Sequence, residues 1–128
     1  MTLTPSNQTY LFEHENHLVQ FTKLYLRDNL PNKILLSGEK GIGKCTLAYH
    51  FINYVLSSDE EHSYSLKNIE INTSNKSFRL IQNRSNPNFI LIDVKDERKN
   101  IDIDQIRNLI SILNKSSFNS KPRFILID

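Results

Sequence analysis

Leu35-Leu36-Ser37-Gly38-Glu39-Lys40-Gly41-Ile42-Gly43-Lys44-Cys45-Thr46 is the stretch that decides the fold. The apolar run Ile34-Leu35-Leu36 leads into glycines and then into a helix-period pattern, the strand, loop and helix order of a phosphate-binding loop. Gly38, Gly41 and Gly43 are the only three glycines in 128 residues, and they fall within six positions. Backbone N–H groups can surround a phosphate only where no Cβ intrudes and φ is unrestricted. A helix starting near Lys44 adds its unpaired N–H groups and the positive end of its dipole. Lys44 itself offers an ammonium to the outer phosphates.

One position departs from the pattern G-x-x-x-x-G-K-[ST]. Cys45 stands where a hydroxyl would ligate Mg²⁺. Mg²⁺ is a hard cation that takes oxygen ligands, and a neutral thiol is a poor substitute. Thr46 carries a hydroxyl, but one residue further along a helix points about 100° away. The cradle of Gly38, Gly41, Ile42, Gly43 and Lys44, with Cys45 and Thr46 opening the helix, is therefore expected to keep its shape. Its hold on Mg²⁺ is expected to be weakened. The bland alternative is a glycine-rich turn capping a core helix; position, spacing and lysine together favour the phosphate loop.

Hydrophobic residues make up 38% and charged residues 23% of the chain, a globular balance in a length that suits one domain. The net charge of +2 is too even to argue for nucleic-acid binding. A single cysteine excludes an internal disulfide and a Cys-rich zinc site, and it suggests a reducing, cytoplasmic setting. The opening MTLTPSNQTY is polar and lacks the apolar core of a signal peptide. No apolar run approaches the roughly 20 residues that cross a bilayer, so no membrane partner is expected.

Outward from the loop, Leu18, Phe21 and Tyr25 predict an amphipathic helix over 13–29, ended by Leu30-Pro31. His14 and His17 have no third ligand nearby and read as exposed helix histidines rather than a metal site. Lys33–Ser37 reads as a short strand covered on both faces. Leu47, Ala48, Phe51, Ile52 and Val55 stripe a helix from Lys44 to Leu56, leaving His50 and Asn53 off the stripe and expected in solvent. Residues 57–88 form a polar insert with a short helix near 76–84, closed by the turn Asn86-Pro87-Asn88. The pentapeptide Phe89-Ile90-Leu91-Ile92-Asp93 recurs as Phe124-Ile125-Leu126-Ile127-Asp128, as two buried parallel strands would. Between them, Asp102 and Gln105 make a capping box, Ile101 and Ile106 a hydrophobic staple, and Ile106, Leu109, Ile110 and Leu113 an expected buried face. Ser116–Pro122 reads as a polar turn. Strand, helix, strand, helix, strand implies a parallel sheet, and the fold class is α/β.

Four segments carry a family resemblance. Leu30-Pro31-Asn32-Lys33-Ile34-Leu35, Gly38 to Leu47, Asn86-Pro87-Asn88 and Ile101-Asp102-Ile103-Asp104-Gln105-Ile106-Arg107 occur in order over residues 30–128. In order and spacing they resemble the delta-prime family of bacterial DNA polymerase III clamp-loader subunits, AAA+ modules related to replication factor C. The resemblance implies a P-loop NTPase (AAA+) parallel sheet with flanking helices. It makes Asp128 the Walker B-type acid and 57–88 a variable insert. Many members carry a four-cysteine zinc module there; this chain has no cysteine in 57–88, so zinc is not carried over.

The acidic residue after Asp128, the sensor residues, the arginine finger and the collar domain of the family find no counterpart in 128 residues. The sequence is therefore expected to be an N-terminal piece of a longer protein, truncated after the third core strand, with unpaired sheet edges that favour aggregation. The implied role is a clamp-loader subunit within a hetero-oligomeric ring, touching the sliding clamp and primed DNA indirectly. It would hydrolyse no ATP of its own and have no catalytic residue; ATP or ADP is the candidate ligand of the loop, with the hold on Mg²⁺ weakened by Cys45. One alternative is a working P-loop enzyme, an AAA+ ATPase or a small nucleotide kinase, which intact Gly43-Lys44 and Asp128 favour and Cys45 and the missing downstream elements oppose; another is a nucleotide-binding module without turnover.

Overall fold

The computed structural model describes residues 3–39, 41–93, 100–115 and 119–128. Lys40 of the loop and residues 116–118 of the expected polar turn lie outside the described residues. The elements run α1 Glu15–Leu26, α2 Lys44–Leu56, α3 Lys76–Gln82, β1 Phe89–Ile92, α4 Ile103–Leu113 and β2 Phe124–Ile127. They fall into two compact units: Met1–Ser85, which holds the first three helices, and Asn86–Asp128, which holds the strands and α4. The small α/β character expected from the sequence is present, as a two-stranded parallel sheet with four helices among the described residues.

The first unit is organised around α2. Its sequence KCTLAYHFINYVL is apolar over most of its circumference, and nine of its 13 residues are buried. A helix of that kind belongs in a core. α1 lies against it through Phe21 and Tyr25, whose rings stand 5.7 and 6.3 Å from the ring of Phe51. Leu18 on α1 is wholly buried. Buried Thr22 keeps its hydroxyl satisfied by donating to the Val19 carbonyl at 2.8 Å. α1 ends in a Schellman turn: Asp28 takes the left-handed conformation at φ 57°, and the Asn29 N–H reaches back to the Leu24 carbonyl at 2.9 Å.

His50 and Asn53, expected in solvent, are buried instead, at 0% and 1% exposure. The segment after α2 returns to the same helix and brings polar partners with it. The buried His50 Nδ1 and the Tyr64 hydroxyl lie 2.7 Å apart, and Nε2 meets the Gln8 carbonyl at 2.9 Å. A carbonyl only accepts, so Nε2 carries the hydrogen and Tyr64 donates to Nδ1. Asn53 and Asn75 exchange amide bonds at 3.1 and 3.0 Å, while the Asn75 Oδ1 also caps α3 by accepting from the Phe78 N–H at 2.7 Å. Ser57 donates to Asn53 and accepts from the Tyr64 N–H. Among the described residues, no buried side-chain nitrogen or oxygen lacks a partner. Helical periodicity shows where apolar residues fall. It does not show that a polar residue will be met by a partner 14 or 22 positions later.

Burial lowers the pKa of His50, against a smaller raising effect of the Gln8 carbonyl. Burial likewise pushes the Tyr64 hydroxyl up. The unfolded chain therefore takes up a proton near pH 6.5 that the folded chain refuses. Stability from this source is complete above that pH, falls as pH drops below it, and levels off once folded His50 is itself protonated. Urea unfolding between pH 7.5 and 5 is expected to show this loss, and His50→Gln to flatten it by no more than about 1.4 kcal/mol per pH unit.

In the second unit the twin pentapeptides are immediate neighbours. β1 and β2 pair in parallel, Phe89 with Phe124 through Ile92 with Ile127. The Phe124 N–H donates to the Asn88 carbonyl at 2.7 Å and the Asp128 N–H to the Ile92 carbonyl at 2.9 Å. Buried Asn88 pins the start of β2, its Nδ2 within reach of the carbonyls of Lys121 and Pro122 and of Asn119 Oδ1. α4 opens with the expected capping box of Asp102 and Gln105. The Gln105 amide also donates to the Asp93 carbonyl at 2.7 Å, and Arg123 donates to the last carbonyls of α4 at Ile112 and Leu113. Of the expected buried face of α4 only Leu109 is buried; Ile106, Ile110 and Leu113 are exposed. A two-stranded sheet has too little area to cover a three-turn helix.

The expected first strand, Lys33–Ser37, does not form. Residues 33–37 pair with no strand among the described residues, and Leu35 is 90% exposed. The apolar run is genuine, but a strand exists only as backbone groups bonded to a neighbour. The sheet therefore has two strands where three were expected.

Candidate functional site

Two glycines of the loop take the left-handed backbone that favours glycine. Gly41 has φ 87° and Gly43 has φ 91° with ψ 22°, the left-handed region in which a Cβ is strained. Gly43 is the N-cap of α2 and makes no side-chain cap hydrogen bond of its own.

Lys44, placed as the phosphate-binding ammonium, bends back across the loop and donates to the Gly38 carbonyl at 2.7 Å. The space beside the Gly38 Cα is occupied by Ile42 Cδ1 and, at 3.9 Å, by the Lys44 Cδ. Ile42 is otherwise 42% exposed. Cys45 is half-buried and carries no disulfide, and Thr46 is buried in the first turn of α2. Among the described residues, the Ile42 and Lys44 side chains thus fill the space beside Gly38, while nothing lies within 4 Å of where a Gly41 Cβ would stand.

A cleft of about 350 Å³ adjoins it. Gln8, Leu11, Phe12 and Glu13 line one side, and Gly41–Gly43 with Thr46 line the other. The Gln8 wall is the same backbone that His50 holds by its carbonyl, and the Ile71 N–H ties adjacent Thr9 at 2.9 Å. Of the residues assigned from the sequence, Gly41, Ile42, Gly43 and Thr46 share this cleft, while Lys44 faces Gly38. Cys45 is not on its wall. Asp128 belongs to the second unit, where it follows β2 as Asp93 follows β1.

One residue of the site is missed by sequence reasoning. His14, the N-cap of α1, is not a bystander: its Nε2 is hydrogen-bonded to the Ile42 carbonyl, and its ring sits against Gly43, where a Cβ would approach Cδ2 to 3.4 Å. The two ends of that bond are 28 residues apart, so no local pattern announces it. His17 stacks loosely on His14 with ring centroids 5.8 Å apart. Among the described residues, no three His, Cys, Asp or Glu side chains are grouped to hold a metal. Nor is any described helix long and apolar enough to cross a membrane.

Comparison with known proteins bears on residues 13–128, which match a family model described as DNA polymerase III, delta subunit. No curated protein matches the chain.

Proposed function

The chain belongs to the DNA polymerase III delta subunit family, a clamp-loader-related family of DNA replication, and from that premise we propose that it is a delta-prime-type clamp-loader subunit that hydrolyses no ATP. In this reading it takes its place beside other clamp-loader subunits in the cytoplasm and helps to set the sliding clamp on primed DNA. The observation that carries the lack of turnover is the glycine loop. Cys45 stands at the Mg²⁺-ligand position, and Lys44 is engaged with the Gly38 carbonyl. Phosphoryl transfer depends on a metal to position the phosphates and neutralise their developing charge. A loop without the hydroxyl ligand keeps the cradle and loses that function.

Titration of the chain with labelled ATP, with and without Mg²⁺, tests the reading. Weak binding that is indifferent to Mg²⁺, together with co-purification of clamp-loader subunits, supports it. Tight Mg²⁺-dependent binding with turnover in isolation overturns it in favour of a working AAA+ ATPase. The glycine geometry at Gly41 and Gly43 favours a second reading, nucleotide binding without turnover. Cys45→Ser restores an oxygen at the metal position. It is expected to raise Mg²⁺-nucleotide affinity by about tenfold, the scale of one charge-assisted contact, as read by calorimetry. Unchanged affinity would mean that the cradle, rather than the metal ligand, limits binding.

A further inference from the structure

We infer that the outer edge of β2 is a self-association surface, on which a second copy of this chain docks its own β2 antiparallel, about a two-fold axis at Leu126. The inference goes beyond the reading of the glycine loop and does not rest on it.

The ladder between β1 and β2 fixes which groups of β2 face outward. The Phe124 N–H donates to the Asn88 carbonyl and the Asp128 N–H to the Ile92 carbonyl. Alternate residues of a strand direct their backbone groups to opposite sides, so the N–H and C=O groups of Ile125 and Ile127 face away from β1. Among the described residues the sheet has two strands, and neither Ile125 nor Ile127 bonds its backbone to another segment. The side chains agree. Ile127 is 59% exposed and Ile125 36%, although Ile92, the register partner of Ile127, is buried. The cover over that face of the sheet stops short of β2. Native edge strands are commonly protected by a lysine, a proline or a bulge. Phe124–Ile127 carries neither charge nor proline, and it pairs with β1 residue for residue.

A two-fold axis at Leu126 sets Ile125 of each copy opposite Ile127 of the other. Antiparallel residues whose groups face each other exchange both hydrogen bonds, so every outward group of Ile125 and Ile127 is met. Opposite side chains share a face, so the isoleucines of both copies cover one another. Asp128 of each copy then lies opposite Phe124 and next to Arg123 of the second copy. The competing arrangement lays β2 in parallel on the β1 edge of the next copy. It sets Asp128 beside Asp93, because each aspartate directly follows its strand, and like charges placed opposite are unfavourable. It is also head-to-tail and does not close. Charge and closure both select the two-fold pair.

The chain is taken from about 10 µM to about 1 mM, the range of weak association, and followed by sedimentation equilibrium and amide hydrogen exchange. A monomer–dimer equilibrium is expected. Exchange at Ile125 and Ile127 should slow about two- to fivefold with concentration as monomer is consumed, with Leu126, already bonded to β1, changing less. Ile125→Lys with Ile127→Lys places like charges opposite one another in both pairs and should weaken dimerisation about tenfold or more. Ile125→Glu with Ile127→Lys places opposite charges there and should recover most of the association. In the parallel arrangement both positions face isoleucine, and the two double variants would weaken association equally, which overturns the two-fold pair. Open-ended growth without a dimer plateau overturns it as well. Full protection of Ile125 and Ile127 at the lowest concentration overturns it by placing a segment of the same chain on the edge. A monomer throughout does so too, and leaves the edge to a strand of a different protein. Should either double variant fail to fold by circular dichroism, the sedimentation and exchange of the parent chain decide alone.

Discussion

Asn75→Ala is expected to lower the melting temperature by more than about 10 °C. The side chain is 1% exposed and makes three contacts at once. It accepts from the Phe78 N–H as the N-cap of α3, it accepts from Asn53 Nδ2, and it donates to Asn53 Oδ1. Alanine removes a cap, at a cost of about 0.5–2 kcal/mol. It also leaves the buried Asn53 Nδ2 without an acceptor, at about 1–3 kcal/mol. A domain of 60–100 residues shifts its midpoint by about 4–8 °C per kcal/mol, and the first unit, Met1–Ser85, is of that size. Thermal unfolding followed by circular dichroism reads the shift. Asn75→Asp separates the two parts, because a carboxylate still caps α3 and still accepts from Asn53 but no longer donates. Its loss should be the smaller one. A loss equal to or above that of alanine would mark the cost of burying a charge against the Asn53 carbonyl oxygen.

Leu18→Ala is expected to cost about 2–5 kcal/mol, the range for truncating a fully buried leucine. Leu18 has no exposed surface and lies in the first turns of α1, one helical turn beyond His14. The variant therefore has a second consequence that a remote cavity would lack. Loosening the start of α1 loosens His14 from the Ile42 carbonyl. Exchange of the Gly41–Lys44 amides should quicken along with the fall in urea midpoint. Ile81→Ala, which empties a buried site on α3 of the same unit, is the control. It should lower the midpoint while leaving the loop amides, relative to global unfolding, as they were. Equal quickening in both variants would show that the loop follows overall stability and not α1.

Much of the local structure was legible because its causes are local. α2 spans the expected residues, Lys44 to Leu56, because apolar spacing and the preceding glycines both act within one or two turns. The capping box at Asp102 and Gln105 is written in four consecutive positions and forms as written. The twin strands pair because two apolar runs of equal length, joined by one helix, have each other as available partners. Lys33–Ser37 carries a similar apolar run but finds no partner strand among the described residues. The buried His50 and Asn53 were illegible for the converse reason: a lone polar residue on a helix is buried only when another segment supplies what it must bond. Tyr64 and Asn75 do so from an insert with no readable pattern of its own.

The candidate site divides along the same line. By itself, the sequence determined that a glycine loop precedes α2, that Lys44 stands at its helix end, and that Cys45 replaces the oxygen a metal needs. Each is a matter of residue type at fixed spacing, and chemistry follows directly from type. Only the tertiary structure decided that Lys44 is engaged with Gly38, that Gln8 to Glu13 wall the cleft, and that His14 holds Ile42. Those contacts join residues up to tens of positions apart. They exist because α1 docks on α2 through Leu18, Phe21 and Tyr25, a packing event that no short stretch of sequence contains.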